Sequence, residues 1–502
     1  MTATGQTSGT FAYVDSKAGM VPVHVKSHPD GLPIGGHWVP CEHSDPIVFP
    51  YDSSVIAHAP RGTVEHAAQA LDAAQEARQS MAALSAGTRR SILMAVHGKL
   101  AAVRSELENL LVLETGKPLV DCQVEVARTL STWAAAAEEV AHSHGETVPL
   151  DLQPAGEGMI GYWTRKPAGI VIGIAGFNYP LLLTSHKVAP ALAAGCPIIV
   201  KPAPDTPLTT LWAVHLIRKA LTEHEASPAA VQLVTGGIDV GQTLVADPRA
   251  AVVSFTGSAA VGHQIAKNAA PRKAVLELGS NTGFIVAKDA RIDEAVDAVI
   301  RGGFYANGQA CISVQRVIVE DQVAEEFQRR LLERMDEVAV GDPRSPDTRV
   351  APLINTASTE RIMTWIQEAV DCGAQILHGG ELQGASLGPT VISQLPTEAN
   401  LWCEEIFGPV ICLNRVADLD TAIELVNDSR YGLQAAIYTA SLKTAFRAIE
   451  ELDVGGVVVN EIPGFRSDIM PYGGVKDSGI GREGPRFAME EFTVTRMAII
   501  RP

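Results

Sequence analysis

The chain has 502 residues, more than one hydrophobic core usually holds, so two or three packed units are expected. Hydrophobic residues make up 46% of the chain and charged residues 19%, which excludes a disordered or fibrous protein. The formal net charge of −17 disfavours nucleic acid or an anionic membrane surface as a partner, because both are also negatively charged.

The cysteines indicate a reducing compartment. There are seven of them, an odd number with no CxxC pair, which favours neither a disulfide framework nor a zinc site, and no metal is predicted. The first residues, MTATGQTSGTFAYVDSKAG, lack the basic and apolar regions of a secretion signal, and no apolar run reaches the length of a membrane span. We therefore expect a cytoplasmic protein with no membrane role.

In chain order, residues 1–60 are rich in Gly, Pro, His and Asp and predict an irregular segment with at most short strands. Residues 63–144 repeat apolar positions at helical spacing and predict a helical block. Residues 145–168 alternate polar with apolar positions and predict a protruding two-stranded ribbon.

From residue 169 onward, short apolar runs alternate with helical segments. The runs are GIVIGIAG, PIIVKPA, AVQLVTGG, AVVSFTG and AVLELG. Strands that are buried on both faces have this composition, so the pattern predicts a parallel sheet covered by helices. A second alternating block, residues 281–453, adds strand candidates at 283–287, 316–320, 410–415 and 457–460. The fold class is therefore α/β, with two such domains.

Two residues stand out as candidates for chemistry. Cys311 follows a predicted helix at 292–305 and precedes a predicted strand, a junction where backbone donors favour a thiolate, although a lone cysteine also serves as small core filler. Glu277 stands within the apolar strand of LELGSN. A buried carboxylate of that kind is either an ion-pair partner or a general base with a raised pKa.

A phosphate site is indicated by FTGSAAVG, residues 255–262, where a strand enters a glycine-led turn before a helix. Such turns are also common wherever a chain reverses. Lys201 ends a predicted strand in VKPAP, from which it reaches either a cofactor or only solvent.

These features occur within a set of ordered motifs that resembles the aldehyde dehydrogenase superfamily from about Tyr51 to Ile500. The motifs are ETGKPL, GFNYPL, ALAAGCPIIVKPA, FTGSAAVG, LELGSN, NGQAC, EEIFGPV and MPYGGVKDSGIGREG. The resemblance implies a Rossmann-like NAD(P)-binding domain (1–145 and 169–276), an α/β catalytic domain (277–480), and a small β oligomerisation ribbon with a tail (146–168 and 481–502). It also implies a homodimer or homotetramer.

The resemblance assigns the catalytic roles to three residues. Cys311 is similar to the nucleophile that attacks the aldehyde carbon, forming a thiohemiacetal and then a thioester. Asn178 is similar to the amide that, with the Cys311 backbone N–H, holds the oxyanion. Glu277 is similar to the base that activates water to hydrolyse the thioester.

The resemblance also assigns a cofactor site, for NAD with NADP possible. Lys201 is similar to the residue at the adenosine ribose, Ser258 to one at the pyrophosphate, and Glu405 and Phe407 to the pair at the nicotinamide ribose. The glycines of this site are Gly237, Gly241, Gly257 and Gly279. Pro204 replaces a glutamate by which many NAD-preferring relatives exclude a 2′-phosphate, which removes one reason to exclude NADP. Its neighbour Asp205 partly compensates, so NAD is favoured.

For the substrate, Arg128, Tyr179, His186 and Arg466 fall where relatives line the substrate entrance. The two arginines are placed either to bind an anionic group on the aldehyde or to form ion pairs within the protein. The tail motif resembles the branch that contains lactaldehyde, non-phosphorylating glyceraldehyde-3-phosphate and phosphonoacetaldehyde dehydrogenases. Ala310 stands where phosphate- or phosphonate-using relatives can carry arginine, so a small hydroxy- or carboxy-aldehyde is expected.

Two alternatives remain. A CoA-acylating aldehyde dehydrogenase would pass the thioester to coenzyme A, for which Glu277 would be redundant. A catalytically inactive member acting as a binding or structural protein would not need Cys311, Glu277 and Asn178 together.

Overall fold

The computed structural model describes residues 28–502, so the first part of the predicted irregular segment and of the first domain lies outside the described residues. Fifteen helices follow one another in this part of the chain: α1 (Val64–Ala83), α2 (Ala86–Ala102), α3 (Arg104–Thr115), α4 (Leu119–Glu139), α5 (Pro180–Ala194), α6 (Leu208–Glu223), α7 (Ile238–Ala246), α8 (Ala259–Ala269), α9 (Ile292–Phe304), α10 (Asp321–Met335), α11 (Thr356–Asp371), α12 (Asn400–Cys403), α13 (Leu419–Asn427), α14 (Leu442–Glu451) and α15 (Pro485–Glu491).

The strands of the same residues are β1 (Leu32–Ile34), β2 (His37–Val39), β3 (Ser44–Val48), β4 (Val55–Pro60), β5 (Glu146–Val148), β6 (Ile160–Pro167), β7 (Ile170–Ile174), β8 (Ile198–Lys201), β9 (Val231–Leu233), β10 (Ala250–Thr256), β11 (Lys273–Glu277), β12 (Gly283–Val286), β13 (Arg316–Glu320), β14 (Gln375–His378), β15 (Leu382–Gln383), β16 (Ser386–Leu387), β17 (Thr390–Ser393), β18 (Val410–Val416), β19 (Tyr431–Gly432), β20 (Gln434–Tyr438), β21 (Gly456–Val459), β22 (Val475–Lys476), β23 (Gly479–Ile480) and β24 (Thr493–Ile500).

The first large sheet has six strands in the order β23–β11–β10–β7–β8–β9. All neighbours are parallel except β23, which runs antiparallel to β11. Its five parallel strands are the five apolar runs that the sequence predicted. Because helices cover both faces, every residue of β7, β8 and β9 is buried.

The second large sheet has seven strands in the order β14–β17–β18–β13–β12–β20–β21. Only β14 is antiparallel to its neighbour. Separate apolar clusters pack on its two faces. The four strands predicted here are present, but β17 and β20, in the sheet interior, were not predicted. The α/β fold class is confirmed.

The predicted two-stranded ribbon is a three-stranded antiparallel sheet, in the order β24–β6–β5. The missed strand, β24, pairs along the whole of β6, which lies more than 300 residues earlier in the chain. Local alternation in the sequence carries no information on so distant a partner. Several large apolar side chains of this sheet are exposed: Ile160, Tyr162, Val494, Met497, Ile499 and Ile500.

The carboxyl ends of the parallel strands position the functional residues. Strands β8, β10 and β11 end at Lys201, Thr256 and Glu277, next to loops that carry glycines. A crevice outside these ends is where ligands bind in open α/β sheets. In residues 28–502, none of the helices combines the length and the apolar character needed to cross a membrane.

Candidate active site

A cavity of about 460 Å³ is lined by residues at the ends of strands of the first large sheet and by residues of loops that connect elements of the second. It brings together most of the residues that the sequence singled out: Arg128, Asn178, Tyr179, His186, Gly257, Ser258, Glu277, Gly279, Cys311, Glu405, Phe407 and Arg466. The remaining three, Lys201, Gly237 and Gly241, do not line this cavity. Lys201 ends β8, and Gly237 and Gly241 lie at the start of α7, which follows β9.

The loop before Cys311 is held in a strained conformation. Ala306, Asn307 and Gly308 have φ angles of 50°, 60° and 68°, in the left-handed region that non-glycine residues rarely adopt. The buried Asn307 fixes the loop, because its amide donates to the Pro352 carbonyl (3.0 Å) and accepts from the Ala351 N–H (2.8 Å). The position of the cysteine is therefore set by the tertiary structure.

The Cys311 thiol lies against one hydroxyl. Its Sγ is 3.1 Å from Tyr472 Oη. Burial raises the pKa of Cys311 to about 12; Glu405 and Glu277 add to the rise, and the Tyr472 hydrogen bond and Arg466 oppose it. The resting sulfur is therefore a protonated thiol at neutral pH, so its reaction requires a base, a hydrogen-bond donor or a nearby positive charge.

Asn178 lies in the loop between β7 and α5, beside the cysteine loop. Its Nδ2 donates to the Gln309 carbonyl at 2.8 Å. The buried Lys117 holds Asn178 from the other side: Nζ donates to the Asn178 carbonyl at 2.7 Å, forms an ion pair with Glu125, and lies 3.7 Å from the centre of the Tyr179 ring. The candidate oxyanion donor therefore rests on a buried ion pair.

Glu277 ends β11 with its carboxyl group inside the cavity wall. Both carboxyl oxygens are buried without a hydrogen-bond partner among the described residues. Burial, with the nearby Glu483, raises the pKa of Glu277 well above its ordinary value, against Arg466 and Lys187. A carboxyl group in this state takes a proton near neutral pH more readily than an exposed one does.

A network of charged side chains lies next to Glu277. Lys187 donates to Thr256 Oγ1 (2.7 Å) and forms an ion pair with Glu483 (3.0 Å). Burial opposes ionisation of Glu483, but Lys187, His186 and Arg466 hold its pKa well below its ordinary value. Lys187 and Glu483 were not predicted from the sequence as site residues. The signal was available, because helix α5 is apolar and buried on almost every side, so a lysine within it requires a buried partner.

The ion-pair alternative for the two arginines is seen in the structure. Arg128 and Arg466 also line the cavity, where binding of an anionic substrate group stays a prediction. Arg128 Nη2 binds Asp468 at 2.8 Å, and Arg466 Nη2 contacts Glu483 at 3.3 Å. His186 lies between the two carboxylates, 3.1 Å from Asp468 and 3.3 Å from Glu483.

One donor of this network makes no hydrogen bond. Arg466 Nε is buried without a hydrogen-bond partner among the described residues, although Asp468 Oδ1 lies 3.9 Å away, so one guanidinium donor can still bind a ligand.

The other half of the cavity fits a dinucleotide. Ser258 caps α8 without a side-chain hydrogen bond, so the first N–H groups of the helix are free to meet a phosphate. Glycine is needed at position 279 so that the backbone can lie close to the Glu405 carboxylate, because a Cβ there would lie 2.6 Å from Glu405 Oε2. Glu405 accepts from the Ser280 N–H (2.9 Å), and Phe407 packs edge-on against Phe177 with ring centres 5.7 Å apart.

Lys201, Gly237 and Gly241 form a second small group beside this half. The Lys201 side chain passes over α7, and a Cβ on Gly241 would lie 3.5 Å from its Cδ and Cε. Gly237 caps α7, again with no side-chain hydrogen bond. Burial lowers the pKa of Lys201, with Asp239 opposing. Pro204 and Asp205 are exposed nearby.

Comparison with known families and curated proteins gives one result. The model of the aldehyde dehydrogenase family matches residues 38–498. The 3-sulfolactaldehyde dehydrogenase of Priestia aryabhattai is 35% identical over 471 residues, which cover 94% of this chain and 98% of that protein. The lactaldehyde dehydrogenase of Methanocaldococcus jannaschii is 36% identical over 469 residues, covering 93% and 99%.

Solved structures give the same result. Aldehyde dehydrogenase 21 from Physcomitrella patens, in complex with the reaction product succinate, superposes with a TM-score of 0.90 at 35% identity, covering 94% of this chain and 98% of that one. The glyceraldehyde-3-phosphate dehydrogenase GapN of M. jannaschii, complexed with NADP, has a TM-score of 0.88 at 34% identity, covering 92% and 100%. The branch indicated by the tail motif is thus confirmed by lactaldehyde dehydrogenases and GapN.

Proposed function

The chain belongs to the aldehyde dehydrogenase family, and on that basis we propose that it oxidises a small polar or anionic aldehyde to the carboxylic acid with NAD or NADP. The observation that carries this proposal is the shared cavity. Cys311, Asn178 and Glu277 line the same space as the uncapped start of α8 and the Gly279–Glu405 contact. A thiol, an amide donor and a carboxyl base beside a dinucleotide site fit this reaction.

Three residues of the chain act in the first half of the proposed reaction. Glu277 takes the proton of the Cys311 thiol, and the sulfur bonds to the aldehyde carbon to give a thiohemiacetal. The Asn178 side-chain amide and the Cys311 backbone N–H donate to the oxyanion that forms. When bound, the nicotinamide supplies the acceptor for the hydride that leaves this carbon, and a thioester remains on Cys311.

Glu277 then acts a second time. Once its proton has passed to solvent, the carboxylate takes a proton from water, and the hydroxide oxygen bonds to the thioester carbon as the bond to sulfur breaks. The acid leaves and Cys311 is restored. Lys187 and Glu483 lie next to Glu277 and can transfer its proton toward solvent. A base in this place supports hydrolysis over transfer to coenzyme A.

The part of the cavity lined by Arg128, His186 and Arg466 favours an aldehyde with an anionic or hydroxyl group. Support comes from Arg128 and Arg466 in the cavity wall and from Arg466 Nε, which makes no hydrogen bond among the described residues. Of the proteins compared above, two are named for sulfolactaldehyde or lactaldehyde, one holds succinate, and GapN is named for glyceraldehyde-3-phosphate. Ala310 supplies no further cation, which favours a hydroxy- or carboxy-aldehyde over a phosphorylated one.

For the cofactor, Ser258 and the start of α8 would hold the pyrophosphate, Lys201 the adenosine ribose, and Glu405 and Phe407 the nicotinamide ribose. The exposed Pro204 offers no carboxylate against a 2′-phosphate, so NADP is accepted as well as NAD. The NADP complex of GapN agrees with that assignment.

We also propose that two or four copies assemble through the three-stranded sheet. Its exposed apolar residues include Tyr162 on β6 and Val494, Met497 and Ile499 on β24, which project from a sheet too small to have a core of its own. A second copy of the same chain is the natural partner for such a surface. The unpaired cysteines fit a reducing compartment, the cytoplasm.

The test is production of NAD(P)H, followed by absorbance with each cofactor against short anionic, short neutral and long apolar aldehydes. We expect the highest kcat/KM with a short anionic or hydroxylated aldehyde. The Cys311→Ala variant should lose turnover by at least about 1,000-fold without loss of folding. Equal turnover by this variant, or a preference for long apolar aldehydes, would contradict the proposal.

A further inference from the structure

The hydroxyl of Tyr472 is the closest polar group to the Cys311 sulfur that the mechanism above does not use. Tyr472 lies between β21 and β22, in MPYGGVKDSGIGREG, and it is buried. Its Oη is 3.1 Å from Cys311 Sγ, and this is the only hydrogen bond of either group among residues 28–502. A phenol paired only with a thiol is a local arrangement that packing does not require.

The ring of Tyr472 is fixed independently of its hydroxyl. Backbone hydrogen bonds in both directions join Tyr472 to Glu483, at 3.1 and 2.7 Å. The ring packs with Ile312 and Leu433, and the Arg466 guanidinium lies 3.7 Å from its centre. Removing the hydroxyl alone therefore leaves the ring in place, so its contribution can be measured separately.

The direction of the hydrogen bond follows from the acidity of the two groups. Burial raises the pKa of Tyr472 well above its ordinary value, so the phenol keeps its proton when the sulfur loses its own. The phenol then donates to a sulfur anion, and a hydrogen bond to a charged acceptor is about twice as strong as one to a neutral acceptor. A cation over the ring further favours donation by the hydroxyl, because it withdraws electron density from the oxygen.

We propose that Tyr472 is a catalytic residue of this enzyme, whose hydroxyl donates to the Cys311 thiolate, holds the sulfur in one position and supports its formation before it attacks the aldehyde. The proposal rests on Cys311 being the nucleophile. Tyr472 supplies a neutral donor in a cavity where two carboxyl groups disfavour negative charge on the sulfur. The titratable and charged groups that face Cys311 there are Glu277, Tyr305, Glu405 and Arg466, besides Tyr472 itself.

The test measures the acidity of Cys311 directly. The full-length protein, with and without NAD, is treated with iodoacetamide across a pH series, and alkylation of the Cys311 peptide is followed by mass spectrometry. In Tyr472→Phe we expect alkylation to be about tenfold slower at each pH of the series, because loss of the hydrogen bond raises the pKa of a thiol that stays mostly protonated throughout. In the same variant kcat/KM should fall at neutral pH.

Two controls separate this role from packing. Tyr438→Phe removes a buried hydroxyl from a ring that stacks on Phe284 outside the cavity, and its profile should match the parent. Replacing Tyr472 by 3-fluorotyrosine keeps the ring and makes the hydroxyl a stronger donor, so alkylation should be faster at each pH. This measurement is available even if Tyr472→Phe folds poorly.

An unchanged alkylation rate in both Tyr472 variants, or a lower rate in both, would overturn the proposal. The alkylation measurement does not depend on turnover. Slower alkylation in Tyr472→Phe together with full turnover in Cys311→Ala would therefore reject the proposed function while leaving the Tyr472 hydrogen bond established.

Discussion

Replacement of Lys117 by methionine tests whether Lys117 positions Asn178, the candidate oxyanion donor. The Lys117 ammonium is almost completely buried and makes three contacts, with Glu125, the Asn178 carbonyl and the Tyr179 ring. Methionine has similar length and no charge. The substitution therefore removes the anchor of Asn178 and leaves the Glu125 carboxylate without its cation.

The magnitude follows from what remains around Glu125. Breaking a buried ion pair on one side costs about 3–5 kcal/mol of unfolding free energy. Glu125 keeps two backbone donors at the start of α5, Leu181 N (3.0 Å) and Leu182 N (3.1 Å), which places the cost near the lower end. At about 2.1 cal/mol/K of unfolding entropy per residue, about 3 kcal/mol corresponds to a fall in Tm on the order of 3 °C for a chain of this length.

A second substitution separates stability from catalysis. In Lys117→Met/Glu125→Gln the side-chain oxygen still accepts from α5, but no unpaired charge remains, so more than half of the loss in Tm should be recovered. The Asn178 carbonyl still lacks its donor. Because complete removal of an oxyanion donor costs about 100- to 1,000-fold in kcat, we expect a loss of about tenfold from a loosened one.

The assays are thermal unfolding and steady-state NAD(P)H production. In an Asn178→Ala background the Lys117/Glu125 pair of substitutions should reduce kcat no further, because the amide that it supports is gone. An unchanged Tm in Lys117→Met would refute the argument from buried charge. A parental kcat in the double variant would show that Lys117 serves folding only.

Further substitutions test the other parts of the site. Glu277→Gln should slow turnover by about 100-fold or more and should also slow the first burst of NAD(P)H, because Glu277 acts both on the thiol and on water; a burst at the parental rate, with acylated enzyme detected by intact-mass measurement, would restrict Glu277 to hydrolysis. Arg128→Met should raise KM for an anionic aldehyde by about tenfold or more and leave a neutral one nearly unchanged, so equal effects on both would assign Arg128 to its pair with Asp468 alone. Pro204→Glu should lower kcat/KM for NADP by about tenfold relative to NAD, as the two titration series would show. Met497→Glu on β24 should shift the protein to smaller assemblies in analytical ultracentrifugation, and an unchanged sedimentation coefficient would remove the three-stranded sheet from the interface.

Much of the fold could be predicted because some strands are recognisable locally. Strands β7, β8 and β10 are apolar, β-branched runs, since helices cover both of their faces, and burial on both faces leaves no room for polar alternation. Strand β20 was missed although it is fully buried, because its sequence, QAAIY, is too short and too alanine-rich to be distinguished from a helix by periodicity. Strand β24 was missed because its partner is far away in the chain.

The candidate site, too, was predictable from the sequence only in part. Cys311, Asn178 and Glu277 were chosen from the sequence because each stands in a motif with an ordered place among others, and the structure puts all three around one cavity. Their roles stay predictions until the variants are measured. The domain boundaries also stay predictions, and β23, from the predicted catalytic stretch, pairs with β11 in the first sheet.

The sequence alone determined the family, the α/β class and the residues expected to form the reacting centre, because these depend on local composition and on the order of motifs along the chain. Only the tertiary structure decided which groups are partners. The Tyr472 hydroxyl meets a sulfur 161 positions away, and Arg128 meets Asp468 across 340 positions. Charge pairing, burial and the resulting shifts in pKa depend on distances in space, and a chain that folds through long-range contacts does not record those distances in its neighbouring residues.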